Sequence, residues 1–249
     1  MSVSYPTKLQ LAFRSGNRCA FPGCNRTLVV DSKISGNLAT TGESAHIAGE
    51  REGAARYDPN MTDEERNHYN NLIYMCGDHH TEIDELENDF PIPVLLKMKK
   101  SHESKVREAV NSGFAEVAFP ELAQATQQIS TMSAGQPSED FVSIPPEEKI
   151  RKNELTSESE QTIRMGLGVV REVRKYIERE SVIDADFPER LKSGFLQEYY
   201  RLRREGHRGD VLFDLMCVFA QRGMDKQSER SAGLAVLAYL FDLCEVFEK

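Results

Sequence analysis

The stretch "NNLIYMCGDHHTEID", residues 70–84, decides the reading of this chain. Its first part, "NLIYMC" (71–76), is a short unbroken apolar run and reads as a strand. Its second part opens "GDHHTEIDELE" (77–87), with acids early in the segment, and reads as the start of a helix. The stretch also holds two Asn, one Cys, two adjacent His and three acids. Few structural needs call for that density of ligand atoms. The question is what Asn71, Cys76, His79 and His80 hold.

Working outward, "CAFPGC" (19–24) places a tight Pro-Gly turn between two cysteines. Cys19-x4-Cys24 and Cys76-x2-His79 are two chelating pairs with 51 residues between them. Zinc takes four soft or borderline ligands in a tetrahedron, and two short loops supply them at low entropic cost. The spacing therefore predicts one structural Zn2+ held by Cys19, Cys24, Cys76 and His79, with all four positions filled by protein. Asn71, His80 and the enclosed "SAHI" (44–47) are left over from that assignment.

The pattern C-x4-C … A-H-I … N-L-I-Y-M-C-x2-H-H resembles the HNH endonucleases of the His-Me finger, or ββα-metal, class over roughly residues 6–110. The resemblance implies that His46, near the end of a first strand, is the general base that activates water. It implies that Asn71 steadies the His46 segment, and that His80 is a ligand of a divalent catalytic ion, Mg2+ or Mn2+. Adjacent His79 and His80 would then serve two different metals. One position departs from the pattern: many members carry Asp immediately before the base histidine, and here that residue is Ala45. The ion needs another oxygen ligand. Asp84 is four residues after His80, on the same helix face, and Glu43 is a second candidate. His68 and His102 read as surface or helix-face residues.

The rest of the chain divides by composition. "PTKLQLAFRSG" reads as a short helix, "TLVV" as a short strand, and "ISGNLATTGES" (34–44) as loop. A helix is expected after Thr62, and an amphipathic one over "PIPVLLKMKKSHESKVREAV" (91–110). Residues 115–146 are rich in Ala, Gln, Ser, Thr and Pro and read as a linker, with room for a short element near 120–131. From Pro146 the pattern is helical. Ile163, Leu167, Val170, Val173 and Ile177 mark one helix face, and three more helices follow. The last is apolar around most of its circumference, as a buried central helix or an interface helix would be. Cys217 and Cys244 sit in apolar helical patterns and read as small buried hydrophobes. The expected fold class is α+β: a zinc-stapled ββα-metal domain over 1–114, the linker over 115–146, and an all-α domain over 147–249.

Residues 145–249 resemble the C-terminal domain of effectors in bacterial ABC-three-component systems, through "PPEEKIRKNELTSESEQTI" and "LAVLAYLFDLCEVFE". That implies a docking module, with a co-encoded ATPase or middle component as partner, and a role in anti-phage defence. A helical bundle that forms a homo-oligomer is the plainer alternative. The excess of apolar residues in 232–247 is expected to leave a surface for either partner.

Composition bounds these readings. The net charge is −9. Residues 1–113 carry 13 basic and 16 acidic side chains, the remainder 18 and 24. Neither part is the basic body that grips nucleic acid by charge alone, so DNA binding must rest on a local patch, a metal or a partner. No run of about 18 apolar residues exists and the first residues lack the apolar core of a signal peptide, so no membrane role and a cytoplasmic location are expected. The expected function is a metal-dependent endonuclease acting on DNA and controlled through its C-terminal helices. The alternatives are a non-catalytic zinc-stapled adaptor, which Ala45 favours, and an RNA-cleaving toxin.

Overall fold

Helix α1 (Tyr5–Arg14) opens the chain because its sequence caps it. The Ser4 hydroxyl accepts the Thr7 N–H, Pro6 sits in the first turn where no hydrogen bond is lost, and Gln10, Leu11 and Ala12 form the buried stripe. The helix stops where Gly16 and Asn17 both take φ +58°. The computed structural model describes residues 3–24, 26–31, 38–130, 145–224, 226–243 and 246–247. They fall into two units, Met1–Arg107 and Glu108–Lys249, and helices and strands together make a mixed α and β protein.

In the first unit β1 (Val29–Asp31) pairs antiparallel with β2 (Leu38–Thr40), and β3 (Gly42–His46) pairs antiparallel with a later strand. Between them come α2 (Asp63–Arg66) and a 3-10 turn at Tyr69–Asn71. Strand β4 (Leu72–Cys76) then runs directly into α3 (Gly77–Glu85), and α4 (Ile92–Phe114) follows, belonging to the first unit as far as Arg107. The β3–β4 register runs from Gly42↔Cys76 to His46↔Leu72. All five residues of β4 are buried, because α1 and α3 both pack on the pair. That double covering is why β4 reads as a continuous apolar run and not as an alternating one. Truncating a fully buried residue such as Leu72 to alanine removes about 2–5 kcal/mol.

Two stretches differ from expectation. Part of "ISGNLATTGES" is strand: β2 and the first residues of β3 lie within it, while residues 32–37 lie outside the described residues. The β-branched Thr40 suits a strand, and its hydroxyl meets Tyr74 Oη at 3.0 Å. Gly42 is needed there, since a Cβ would lie 2.2 Å from the Tyr74 ring.

Among the described residues the second unit is made of helices. After the end of α4 come α5 (Phe119–Ser130), α6 (Pro146–Lys152), α7 (Ser157–Gly168), α8 (Val170–Ile183), α9 (Phe187–Arg204), α10 (Gly209–Ala220) and α11 (Gln227–Asp242). The stretch 115–146 thus contains α5, which buries Leu122, Ala125 and Ile129 against helices of this unit; residues 131–144 lie outside the described ones. The second difference is that the single face expected through Ile163–Ile177 breaks at Val169, which ends α7 and begins α8. Gly166, Gly168 and the β-branched pair beside them weaken the helix at that point.

Helix α11 is central and packs on α5, α7, α8 and α10. Its residues Ser231–Ala238, Leu240 and Phe241 are buried within the unit. Most of the apolar surface of 232–247 is therefore covered inside the bundle where it is described, while Leu243 stays exposed. Fully buried Lys149 donates to the Phe241 carbonyl (2.9 Å) and caps the end of α11. Cys217 is buried as expected, and Cys244 lies outside the described residues. No helix among the described residues is long and apolar enough to cross a membrane.

Candidate functional site

Four soft ligands converge at the junction of β4 and α3. Cys24 N–H donates to the Phe21 carbonyl (3.0 Å), with Pro22 and Gly23 between and Gly23 at φ +81°, the pattern of a type II turn. That turn folds Cys24 back beside Cys19. Cys76 ends β4 and caps α3, and His79 lies in the helix's first turn. The ligand atoms of Cys19, Cys24, Cys76 and His79 all lie within 4.8 Å of one another, close enough to bind a metal ion. His79 Nδ1 is 3.5 Å from Cys19 Sγ and 3.1 Å from Cys76 Sγ. Zinc bonds of ~2.3 Å to sulfur and ~2.0 Å to nitrogen in a tetrahedron place such atoms ~3.5 Å apart. Phe21 stacks on the His79 ring at 3.9 Å and fixes its plane. Burial pushes the Cys19 thiol up to about 12, so without a cation Cys19 keeps its proton, which a bound cation would release.

The second set surrounds the open end of β3. His46 closes that strand, half-buried, and its Nε2 is buried with no hydrogen-bond partner among the described residues. Asn67 Oδ1 is in the same condition. Burial lowers the His46 pKa below 6.5, against the Asn67 side chain, which favours the protonated ring. Asn71 holds the segment that follows. Its Oδ1 accepts the Ala48 N–H (2.9 Å), and its Nδ2 donates to the Ala48 and Arg66 carbonyls (both 2.9 Å). The side-chain amide thus continues the ladder beyond the last strand pair. Arg66, itself buried, donates to the carbonyls of Gly49 and Met61 and pins the intervening loop.

His80 and Asp84 share a face of α3. His80 Nδ1 meets Glu43 Oε2 at 2.5 Å, and His80 Nε2 lies 3.4 Å from Asp84 Oδ2. Glu43 reaches the helix because it lies on the same face of β3 as Ala45, two residues along. Asp84 and then Glu43 hold the His80 imidazole above 6.5, with burial acting the other way. For Asp84 burial is the largest influence and acts upward, but His80 and Arg56 outweigh it and hold the carboxyl below its ordinary value. The two acids lie at opposite nitrogens of one ring. Among the described residues the Cys-His set is the group of three or more ligands that converges within 4.8 Å, and His80, Asp84 and Glu43 do not form a second.

All nine candidate residues, Glu43 included, thus lie along β3, the 3-10 turn that ends at Asn71, β4, α3 and the Cys19–Cys24 turn. His68 caps the 3-10 turn, its Nδ1 accepting the Asn70 N–H (3.3 Å), and His102 Nε2 donates to the Ser15 carbonyl (3.0 Å). Sequence reasoning missed Phe21, Asn67 and Arg56. No protein-family model matches the chain, and no curated protein matches it significantly.

Proposed function

We propose that the chain is a metal-dependent endonuclease of the ββα-metal type that hydrolyses phosphodiester bonds in DNA. One observation carries the reading. A buried, unpartnered histidine nitrogen stands at the end of β3, and the helix that follows the paired strand presents an imidazole and a carboxylate to the same region. A histidine whose pKa is lowered by burial is neutral near pH 7 and ready to accept a proton from water. Asn71 holds the backbone beyond it in place.

The donor sets fit two cations of different kinds. Three thiolates and an imidazole suit a closed structural zinc, which joins the Cys19–Cys24 turn to the start of α3. With Nδ1 engaged by Glu43, His80 has Nε2 left as its ligand atom, beside Asp84, and an imidazole with a carboxylate suits Mg2+ or Mn2+. Glu43 is then the acid that orients the ligand, and Asp84 the oxygen donor that Ala45 does not provide. Such an ion supplies charge stabilisation at the phosphate and the leaving oxygen. The resemblance of residues 145–249 to defence-system effectors supports control of the nuclease through the helical unit, by a partner protein or a second copy.

A second reading has its own observation. Asp84 Oδ1 is paired with the Arg56 guanidinium at 2.6 Å, and Ala45 has no ligand atom, an arrangement that suits a zinc-stapled adaptor without catalysis. Incubating the purified chain with supercoiled plasmid and with structured RNA, with Mg2+ or Mn2+ and with chelator, separates the readings. Metal-dependent nicking of plasmid is expected. Cleavage of RNA alone would make the substrate RNA, and intact substrates under every condition would favour the adaptor.

A further inference from the structure

Arg56 is absent from any motif of the sequence, yet it is the most heavily engaged side chain near the site. Its side chain is 5% exposed. Nε donates to the Ile47 carbonyl (2.8 Å) and Nη1 to the Ile83 carbonyl (2.5 Å). Nη2 donates to the His46 carbonyl (3.4 Å) and to Asp84 Oδ1 (2.6 Å). Its backbone N–H donates to Glu87 Oε2 (3.3 Å). The residue holds φ +58°, a conformation uncommon for any side chain but glycine, which the surrounding contacts must sustain.

The side-chain partners belong to two segments. His46 ends β3 and Ile47 follows it; Ile83 and Asp84 are the turn of α3 after His80. A single guanidinium thus ties the strand end carrying the unpartnered imidazole to the helix turn carrying the carboxylate. It also decides which oxygen of Asp84 faces His80: Oδ1 is held by Arg56, and Oδ2 is left toward His80 Nε2. Lysine has one nitrogen on a flexible stem and cannot span three carbonyls and a carboxylate in one plane.

We propose that Arg56 is a positioning residue, which sets the distance between His46 and the His80–Asp84 pair and the orientation of Asp84, without touching substrate. The inference rests on the nuclease reading for its effect on rate, but not for its effect on local order. A misplacement of about 1 Å costs on the order of 100-fold in rate when groups must act together.

The test compares the full wild-type chain with R56K and R56Q for zinc content, hydrogen exchange, and kcat and KM on a duplex oligonucleotide with Mg2+. In R56K we expect one zinc per chain, exchange faster by about tenfold at both 46–48 and 83–87, and no change in α1. We expect kcat lower by about 100-fold with KM within about threefold of wild type. Unchanged exchange with unchanged kcat would overturn the proposal. So would loss of zinc in both variants in step with activity, since Arg56 would then be a residue of the fold alone. A wild-type chain that cleaves nothing, while R56K loosens both segments, would remove the nuclease reading and leave the clamp between the two elements standing.

Discussion

His79 and His80 are neighbours in sequence and belong to opposite kinds of site. His79 points its Nδ1 into a set of sulfur ligands that already lie within bonding range of one ion. His80 sits between two carboxylates, one at each ring nitrogen, and one of those carboxylates is shared with an arginine. The first site is closed by geometry and needs only to lose protons. The second is polar, partly open, and held by ion pairs among its own members. A closed set of soft ligands that binds zinc contributes to folding, whereas the groups around His80 satisfy one another through ion pairs. Adjacent histidines at a helix start can thus meet different partners, one sulfur atoms and the other carboxylates.

Breaking the first site should have the largest effect. Cys76→Ala is expected to lose the zinc and the cooperative unfolding of the first unit together, because structural zinc contributes folding free energy directly. Elemental analysis and amide exchange over residues 3–107 check this; a folded Cys76→Ala chain without zinc would mean the cluster is dispensable. Breaking the second should leave the first intact. His80→Ala is expected to keep one zinc per chain and its melting transition, and to lose cleavage by about 100-fold or more through loss of the ion. Parallel loss of zinc in His80→Ala would merge the two sites into one and end the comparison. Glu43→Gln sharpens it further: on the proposed reading Glu43 orients His80 and leaves the ion to Asp84, so a loss of about tenfold is expected. Loss equal to that of His80→Ala would instead make Glu43 the oxygen ligand.

The sequence displays the first site far better than the second. Cys19, Cys24, Cys76 and His79 are legible because two chelating pairs have local spacing, and β4 with α3 is legible because an apolar run meets an acidic helix start. The adjacency of His46 to His80 and Asp84 came only from resemblance to a known pattern. Arg56 was not legible at all. Three of its acceptors are backbone carbonyls 9, 10 and 27 residues away, and a carbonyl has no signature in the amino-acid code. Asn67 is hidden for a similar reason: an orphaned amide oxygen is visible only once burial is known. β2 is hidden because three residues, Leu38–Thr40, have no strand pattern of their own until β1 is opposite them.

The smallest expected effect lies away from both sites. Burial holds His102 below 6.5 in the folded chain, against its bond to the Ser15 carbonyl. The unfolded chain therefore takes up the proton first, and stability falls as pH drops below 6.5. His102→Gln retains an N–H for Ser15 and cannot titrate. It should flatten the fall in stability between pH 7 and 5.5, read from denaturant melts at both pH values. An unchanged pH slope would mean that His102 titrates as it does in the unfolded chain.

The central claim is that His46 acts on water beside a separate structural zinc. It is tested most directly by plasmid cleavage with Mg2+ for wild type and His46→Ala, each with measured zinc content and melting temperature. The account predicts one zinc and an unchanged transition in both, with cleavage in the variant lower by about 100-fold or more. A folded, zinc-loaded His46→Ala chain that nicks DNA at the wild-type rate would contradict it.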